Sequence, residues 1–185
     1  MKMNKYNLNW LLDSIERGEV QEYIYFWGHT PNKDNAITAI CFSQWFPSIF
    51  EVENIVYLSA EHWMMAQKAK LFGDEEYFEK IIKSKNPSEA KKLGREVRNF
   101  QIDIWNEKCF EIVVQGNMHK FSQNHNLKDF LLSTENKIIV EASPYDKIWG
   151  IGLEAIHTKA KNPATWNGLN LLGFALMETR DRLRM

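Results

Sequence analysis

Residues 59–71 contain two charged side chains whose spacing suits a chemical site. Glu61 and Lys68 are seven residues apart. In a helix, seven residues turn through about 700° and rise roughly 10 Å, so the carboxylate and the ammonium group lie on nearly the same face. Two interpretations are open. The face binds a ligand, or it is an ordinary solvated face, which is the commoner outcome for charged helix positions.

A second candidate segment, residues 138–152, combines two carboxylates with a glycine-rich turn. Glu141 ends an apolar run, and Asp146 and Trp149 follow immediately before a Gly-Ile-Gly sequence. Acids at the end of a strand are well placed to reach a ligand, and two neighbouring acids can acquire different pKa values. The alternative is a capped turn with a buried tryptophan, because Asp also favours turns.

Scattered basic side chains form a third candidate set, because lysine and arginine bind phosphate. For any single one of them, a contribution to surface solubility is the simpler interpretation. The candidates are Lys68, Lys92, Arg95, Arg98 and Lys120.

The sequence disfavours several familiar kinds of site. The five histidines form no HxxxH or HxH pair, and His62 follows Glu61 without completing the HExxH pattern of zinc hydrolases. GxSxG, GxxxxGK[ST] and GxGxxG motifs are absent, and the two cysteines have no CxxC partner. We therefore expect neither a metal nor a cofactor.

The composition fits one folded domain that acts on small molecules. The chain has 185 residues, 44% of them hydrophobic, and a formal net charge of -1, so it has no global basic field to attract nucleic acid. Its seven tryptophans indicate an aromatic core or aromatic surfaces that line a site. Since no leader peptide or apolar run of about 18 residues is evident, we expect a cytoplasmic protein without membrane association.

Hydrophobic periodicity and helix-capping residues predict an α+β fold, a single compact and mostly helical domain with a few short strands. No βαβ alternation is present. Residues 1–22 are expected to be a helical extension and residues 23–185 the domain itself. Helices are predicted at 7–17, 59–72, 74–84, 86–97, 102–124, 127–136 and 169–183, and strands at 23–27, 36–42, 46–58 and 137–143.

Eight short pieces of sequence occur in an order and spacing typical of one known family. They are FWGHTP at 26–31, FSQWFP at 42–47, SAEHWMMAQKAKLF at 59–72, NPSEAKKLGREV at 86–97, Trp105 in IDIWNEKCFEIV, KFSQN at 120–124, VEASPYDKIWGIG at 140–152 and NGLNLLGFALMETRDRL at 167–183. Together they resemble the NADAR domain family, the YbiA-like N-glycosidases, over nearly the whole chain. Two features depart from the family pattern: Gln44 stands where many members have Asn, and the loop at 155–166 is longer than in the most compact members.

The resemblance implies hydrolysis of a C1′–N glycosidic bond without a metal. Some members release ribose 5-phosphate from early riboflavin intermediates, and others remove ADP-ribose from guanine in nucleic acid. The matching motifs imply catalytic roles for Glu61, Asp146 and Trp105. The remaining expected substrate contacts are Trp149, Lys68, Arg95, Lys120, Gly28, Trp27 and Glu141.

A mechanism follows from the chemistry of such a bond, because its cleavage passes through a cation-like sugar that a carboxylate stabilises. We expect either Glu61 or Asp146 to do this while the other positions the ribose hydroxyls. Trp105 or Trp149 would stack on the base, and the basic residues would hold phosphate.

The expected partner is a small phosphoribosyl or ADP-ribosyl substrate, or ADP-ribosylated DNA or RNA. The aromatic FWGHTP piece and the long late loop favour the ADP-ribose branch over the riboflavin branch. Two alternatives from other classes stay open. One is a non-catalytic binder of nucleotide-like ligands, and the other is an interaction module with its tryptophans in an exposed patch.

Overall fold

A computed structural model describes residues 4–31 and 36–185. The chain divides into two units. Unit 1 contains residues 1–43 and 129–185, and unit 2 contains residues 44–128. The described residues form seven α-helices and four short strands, which confirms the predicted mostly helical α+β class. Within these residues, no helix has the length and apolar character needed to cross a bilayer.

Unit 2 is organised around α2, which packs on three other helices and on a short hairpin. The hairpin turns at Glu53 and Asn54, whose φ angles of 51° and 62° are typical of a tight two-residue hairpin turn. The elements of this unit are β2 (Phe50–Val52), β3 (Ile55–Tyr57), α2 (Ala60–Leu71), α3 (Glu75–Ile82), α4 (Pro87–Arg95) and α5 (Ile102–Gln123).

Capping residues explain where the helices of unit 2 begin. The Asp74 side chain accepts a hydrogen bond from the backbone N–H of Tyr77, and Asn86 caps α4 directly before Pro87. Ser59 is the residue before α2, as predicted, but its hydroxyl bonds Nδ1 of His62 at 2.8 Å rather than a backbone amide. The start of α2 is therefore fixed by a buried side-chain pair.

Unit 1 contains a two-stranded parallel sheet covered by a helix. Strand β1 (Tyr23–Phe26) pairs with β4 (Ile138–Glu141), with Phe26 opposite Glu141. Helix α7 (Leu171–Arg184) packs on β4. Because the strands are parallel, the residues that follow β1 and those that follow β4 leave the sheet at the same edge.

Asn170 fixes the end of β4 from the position before α7. Its Nδ2 donates to the carbonyl of Ile139 at 2.9 Å, and its Oδ1 accepts from the amide of Glu141 at 3.0 Å. The residue is fully buried and has a left-handed φ of 54°. The two side-chain bonds supply a reason for this uncommon backbone conformation.

The predicted strand at 36–42 is wrong, because residues 39–42 form a 3₁₀ helix. Cys41 and Phe42 are consecutive and both buried. A strand would point consecutive side chains to opposite faces, whereas a 3₁₀ turn lets both reach the interior of unit 1. The Phe42 ring packs against Phe26 and Phe130.

Helix α1 (Leu8–Glu16) packs within unit 1 on the 3₁₀ turn at 163–165. Residues 1–3 of the predicted extension and residues 32–35 of the predicted domain lie outside the described residues. The boundary after residue 22 stays a prediction. Helix α6 (His125–Ser133) contains the boundary between the two units, which falls after Lys128.

We predict that Gly94→Ala destabilises the protein, because a Cβ at this position of α4 would lie 2.1 Å from Sδ and 3.0 Å from Cβ of Met65 on α2. Overpacking of this kind costs about 1–3 kcal/mol, against a gain in helix propensity of about 1 kcal/mol. Chemical denaturation measures the difference. Lys92→Ala, an exposed change on the same helix, should alter the free energy of unfolding by less than about 0.5 kcal/mol. A Gly94→Ala protein as stable as the wild type would contradict the close packing of α2 and α4.

Candidate active site

Glu61 is a buried carboxylate in the first turn of α2. Only 5% of the residue is exposed, and its backbone N–H donates to the carbonyl of Gln44 at 2.9 Å. Burial excludes the solvated-face interpretation for this residue. The N-terminal end of a helix favours a negative charge, and charge interactions are stronger away from water. This carboxylate is therefore well suited to stabilise a positive charge.

Gln44 is a candidate site residue that the sequence marked only as a departure from the family pattern. It is 8% exposed, and its side-chain Nε2 has no hydrogen-bond partner among the described residues. A buried amide donor without a partner is uncommon in folded proteins and is a reason to look for a polar ligand. Its backbone contact with Glu61 places it at the start of α2.

Lys68 is held in a fixed position two turns along α2. Its Nζ donates to the carbonyl of Gly94 at 2.7 Å and lies 4.2 Å from the ring centroid of Phe100 and 5.6 Å from that of Trp105. Burial lowers the pKa of Lys68, and the positive charge of Arg95 lowers it further. A partly dehydrated cation beside a second cation is suited to bind an anion.

The structure thus brings Lys68, Arg95 and Trp105 together within unit 2. Trp105 is half-buried in the first turn of α5, and Arg95 is exposed at the end of α4. Phe100 joins this group and was missed by the sequence reasoning. It is 41% exposed and follows Asn99, whose φ is 57°. No motif in the sequence indicates that its ring meets Lys68.

The other basic candidates of unit 2 differ sharply in environment. Lys120 is fully buried, with its Nζ 5.8 Å from the ring centroid of Phe46, so the surface interpretation is wrong for this lysine. Arg98 instead has a structural role, because its Nε donates to the Asp74 carboxylate at 3.0 Å. The Arg98 guanidinium holds the pKa of the Asp74 carboxyl well below its usual range.

Asp146 in unit 1 organises the turn that carries it. Its Oδ1 accepts hydrogen bonds from the amides of Ile148 at 2.9 Å and Trp149 at 2.7 Å. Oδ1 therefore caps the turn, as the alternative interpretation of this segment predicted. The other oxygen, Oδ2, accepts no hydrogen bond from the described part of the chain, so one side of the carboxylate is left for another contact.

Glu141 lies in the same neighbourhood as Asp146, as the sequence predicts. The backbone carbonyls of both residues approach Gly150, where an added Cβ would lie 2.9 Å from one oxygen and 3.0 Å from the other. Glu141 is half-buried, and its carbonyl also accepts from the amide of Ile151 at 2.9 Å. Glycine at position 150 is what lets these segments meet.

Trp27 and Gly28 follow β1 and lie in unit 1. The Trp27 side chain is half exposed, and its ring centroid is 6.1 Å from that of Tyr145. Gly28 has a φ of 87°, a conformation that favours glycine. Trp149 is half-buried in the neighbouring turn. The structure therefore groups the second set of predicted residues around the ends of β1 and β4.

In residues 4–31 and 36–185, no three His, Cys, Asp or Glu side chains are grouped so that they could hold a metal ion.

The predicted site residues fall into two sets, one in each unit, and their individual roles stay predictions. Glu61, Lys68, Arg95, Trp105 and Lys120 belong to unit 2, and Trp27, Gly28, Glu141, Asp146 and Trp149 belong to unit 1.

Comparison with known proteins decides the family. The model of the NADAR domain matches residues 25–184. The chain belongs to the NADAR domain family. This membership confirms the resemblance that the eight ordered sequence pieces indicated.

Individual relatives extend this result. N-glycosidase R617 of Acanthamoeba polyphaga mimivirus is 49% identical over 88% of this chain and 97% of its own length. The NMR structure of Escherichia coli YbiA matches with a TM-score of 0.66 and 27% identity, over 90% of this chain and 88% of that one. The chloroplastic riboflavin biosynthesis protein PYRR of Arabidopsis thaliana is 30% identical over 75% of this chain, which spans 22% of that protein.

These relatives confirm two predictions for the NADAR protein. The fold is YbiA-like, and the enzyme class is that of a hydrolase of N-glycosyl compounds.

We predict that Arg95→Gln raises the pKa of Lys68, because it removes the positive charge that disfavours the ammonium form. Burial remains, so the pKa should stay below the ordinary value of 10.5. Side-chain NMR of the lysine during a pH titration measures the change. Lys92→Gln, an exposed substitution on the same helix, serves as the control and should leave the titration of Lys68 unchanged. An unaltered Lys68 titration in Arg95→Gln would show that the two cations do not interact.

Proposed function

We propose that this NADAR protein hydrolyses the C1′–N bond between ADP-ribose and guanine in nucleic acid, with Glu61 as the carboxylate that stabilises the reacting sugar. The observation that carries the proposal is the burial of Glu61 on the same helix as Lys68, whose ammonium group is held by the carbonyl of Gly94. Roughly 10 Å of helix separates them. A carboxylate and a cation at this spacing suit a ribose whose reacting C1′ and 5′ phosphate lie at opposite ends.

The proposed reaction needs only water as the second reactant. The C1′–N bond breaks and its electron pair goes to the departing guanine, while positive charge develops at C1′ and O4′. The Glu61 carboxylate faces that charge in a site largely withdrawn from water, where electrostatic stabilisation is strong. A water oxygen then bonds to C1′, the carboxylate accepts the proton that this water loses, and the same proton passes on to the departed guanine nitrogen, which restores the carboxylate.

The cation pair favours a diphosphate over a monophosphate. Lys68 lies close enough to Arg95 for the charge of Arg95 to lower its pKa. Two neighbouring cations repel each other unless an anion neutralises them, and ADP-ribose supplies one phosphate for each. Trp105, half-buried beside Lys68, is proposed to hold the base or the ribose by stacking. Lys120 is proposed as a further phosphate contact of this unit.

The unit 1 residues keep their predicted roles as part of the proposal. Asp146, whose Oδ1 is fixed by two backbone amides, suits positioning of ribose hydroxyls better than uptake of a proton. Trp149, Trp27, Gly28 and Glu141 are proposed as substrate contacts.

A second candidate function has its own support. PYRR, a relative of this chain, is a riboflavin biosynthesis protein. We therefore retain, as the alternative, hydrolysis of ribosylaminopyrimidine 5′-phosphates to ribose 5-phosphate. This substrate carries one phosphate and one base, so it would leave one member of the Lys68–Arg95 pair without a phosphate.

The product formed distinguishes the candidates. The protein is incubated separately with DNA ADP-ribosylated on guanine and with a ribosylaminopyrimidine 5′-phosphate, and released sugars are identified by mass spectrometry. We expect free ADP-ribose from the first substrate. Ribose 5-phosphate alone would support the riboflavin branch, and binding without either product would support a non-catalytic module.

Glu61→Gln should lower kcat by about 10²–10⁴-fold, the range for loss of a catalytic proton-transfer group. Asp146→Asn should lower kcat by about 10²-fold, the size of effect that misplacement of a substrate can have. Asn at 146 can still accept both turn amides, so this variant removes the charge and preserves the turn. Glu75→Gln is the matched control for Glu61. Glu75 also lies in the first turn of a helix in unit 2, but it is exposed. Wild-type kcat in both test variants, with unchanged thermal stability, would refute the carboxylate assignment.

A further inference from the structure

We infer that Trp27 and Tyr145 form an aromatic platform on unit 1 that stacks an unpaired base of a nucleic-acid strand. The inference rests on the proposed function in one respect, that the modified guanine belongs to a polynucleotide. It adds a binding surface for the strand itself, separate from recognition of ADP-ribose.

Both rings of the platform are exposed to solvent. Tyr145 is 85% exposed and Trp27 is 51% exposed. Neither ring is needed to fill the interior of unit 1, and large aromatic side chains gain little by standing in water. They come from segments more than a hundred residues apart, yet their ring centroids are 6.1 Å apart. Two exposed aromatic rings brought together from distant segments indicate a surface built for contact.

The geometry of the pair favours one stacked base on an outer face. The two ring planes are inclined at 54°, so they contact each other in a tilted arrangement and leave no parallel slot between them. Both residues are at least half exposed, so part of each ring is accessible to a base. Stacking on such a face tolerates any base, because every base has a flat π surface.

The backbone beneath Tyr145 is fixed, so binding would not have to order it. The amides of Tyr145 and Asp146 both lie within hydrogen-bonding distance of the Ser143 hydroxyl, at 3.4 and 3.2 Å. The amide of Gly152 closes the loop by donating to the carbonyl of Asp146 at 3.0 Å. A rigid turn that presents a solvent-exposed ring reduces the entropy lost on binding.

Exposed lysines supply the charge that a phosphate backbone requires. Lys147 is exposed two residues after Tyr145, and Lys159 and Lys161 are exposed in the 3₁₀ turn at 158–161. That turn is tied to β1, since the Tyr25 hydroxyl donates to the carbonyl of Ala160. None of the three lysines forms an ion pair with a residue that the structure describes. A combination of exposed aromatic rings and exposed cations is typical of single-strand binding surfaces.

The test measures binding of fluorescently labelled, unmodified single-stranded DNA to the full chain by anisotropy at low salt. Tyr145→Ala and Trp27→Ala should each weaken binding by about 5- to 150-fold, the loss of one stacked base. Ile156→Ala is the matched control, since this residue of unit 1 is 89% exposed and apolar, and it should bind like the wild type. An abasic strand of equal length should show no difference among the variants, because it offers phosphates without bases.

Two results would overturn the platform. The first is equal DNA affinity for wild type, Tyr145→Ala and Trp27→Ala. The second is an equal loss of affinity for free ADP-ribose, which would mean that the rings hold the adenine of ADP-ribose and not a base of the strand. Both readouts use unmodified DNA or free ligand and no turnover. Failure of the protein to release ADP-ribose from guanine would therefore count against the proposed function. It would not change the measured affinity for unmodified DNA, on which the platform is judged.

Discussion

The enclosure of α2 is the constraint on which unit 2 depends. Residues Ala60 to Ala66 of this helix are all buried, as is Ala69, so α2 has no broad solvated face. A charge placed on such a helix loses its water and must be compensated inside the protein. Lys68 meets this requirement through the carbonyl of Gly94 and two aromatic rings. The absence of a Cβ at Gly94 also lets α4 approach closely enough to provide that carbonyl.

Unit 1 meets a different requirement, which is to hold a loop rigid at the edge of a sheet of only two strands. The Asn170 side chain hydrogen-bonds two backbone groups of β4, the carbonyl of Ile139 and the amide of Glu141. Asp146 then caps the turn beyond, and Gly150 lets the strand end and the turn meet. These contacts are made by the backbone and by short polar side chains. The framework therefore does not need the Trp27 and Tyr145 rings, which can stay exposed.

Local signals were sufficient to predict most helices, because caps such as Asp74 and Asn86 act within three or four residues. The 3₁₀ turn at 39–42 was missed because its conformation is set by burial of two consecutive side chains, which is a tertiary effect. Phe100 and Gln44 were missed for the same reason. Their contacts with Lys68 and Glu61 join residues 17 or more positions apart, and no short pattern encodes them.

The ambiguity of Glu61 in the sequence has a physical origin that also bears on its role. A helix packed on one side shows an apolar stripe, but a helix enclosed by its neighbours shows none, so polar residues on it resemble a solvated face. Along α2, exposure rises from Glu61, which is buried, through Lys68, which is half-buried, to Lys70, which is exposed. The cationic end is therefore the more hydrated end. This gradient suits a substrate whose phosphates stay near water while its reacting carbon lies beside a carboxylate kept away from it.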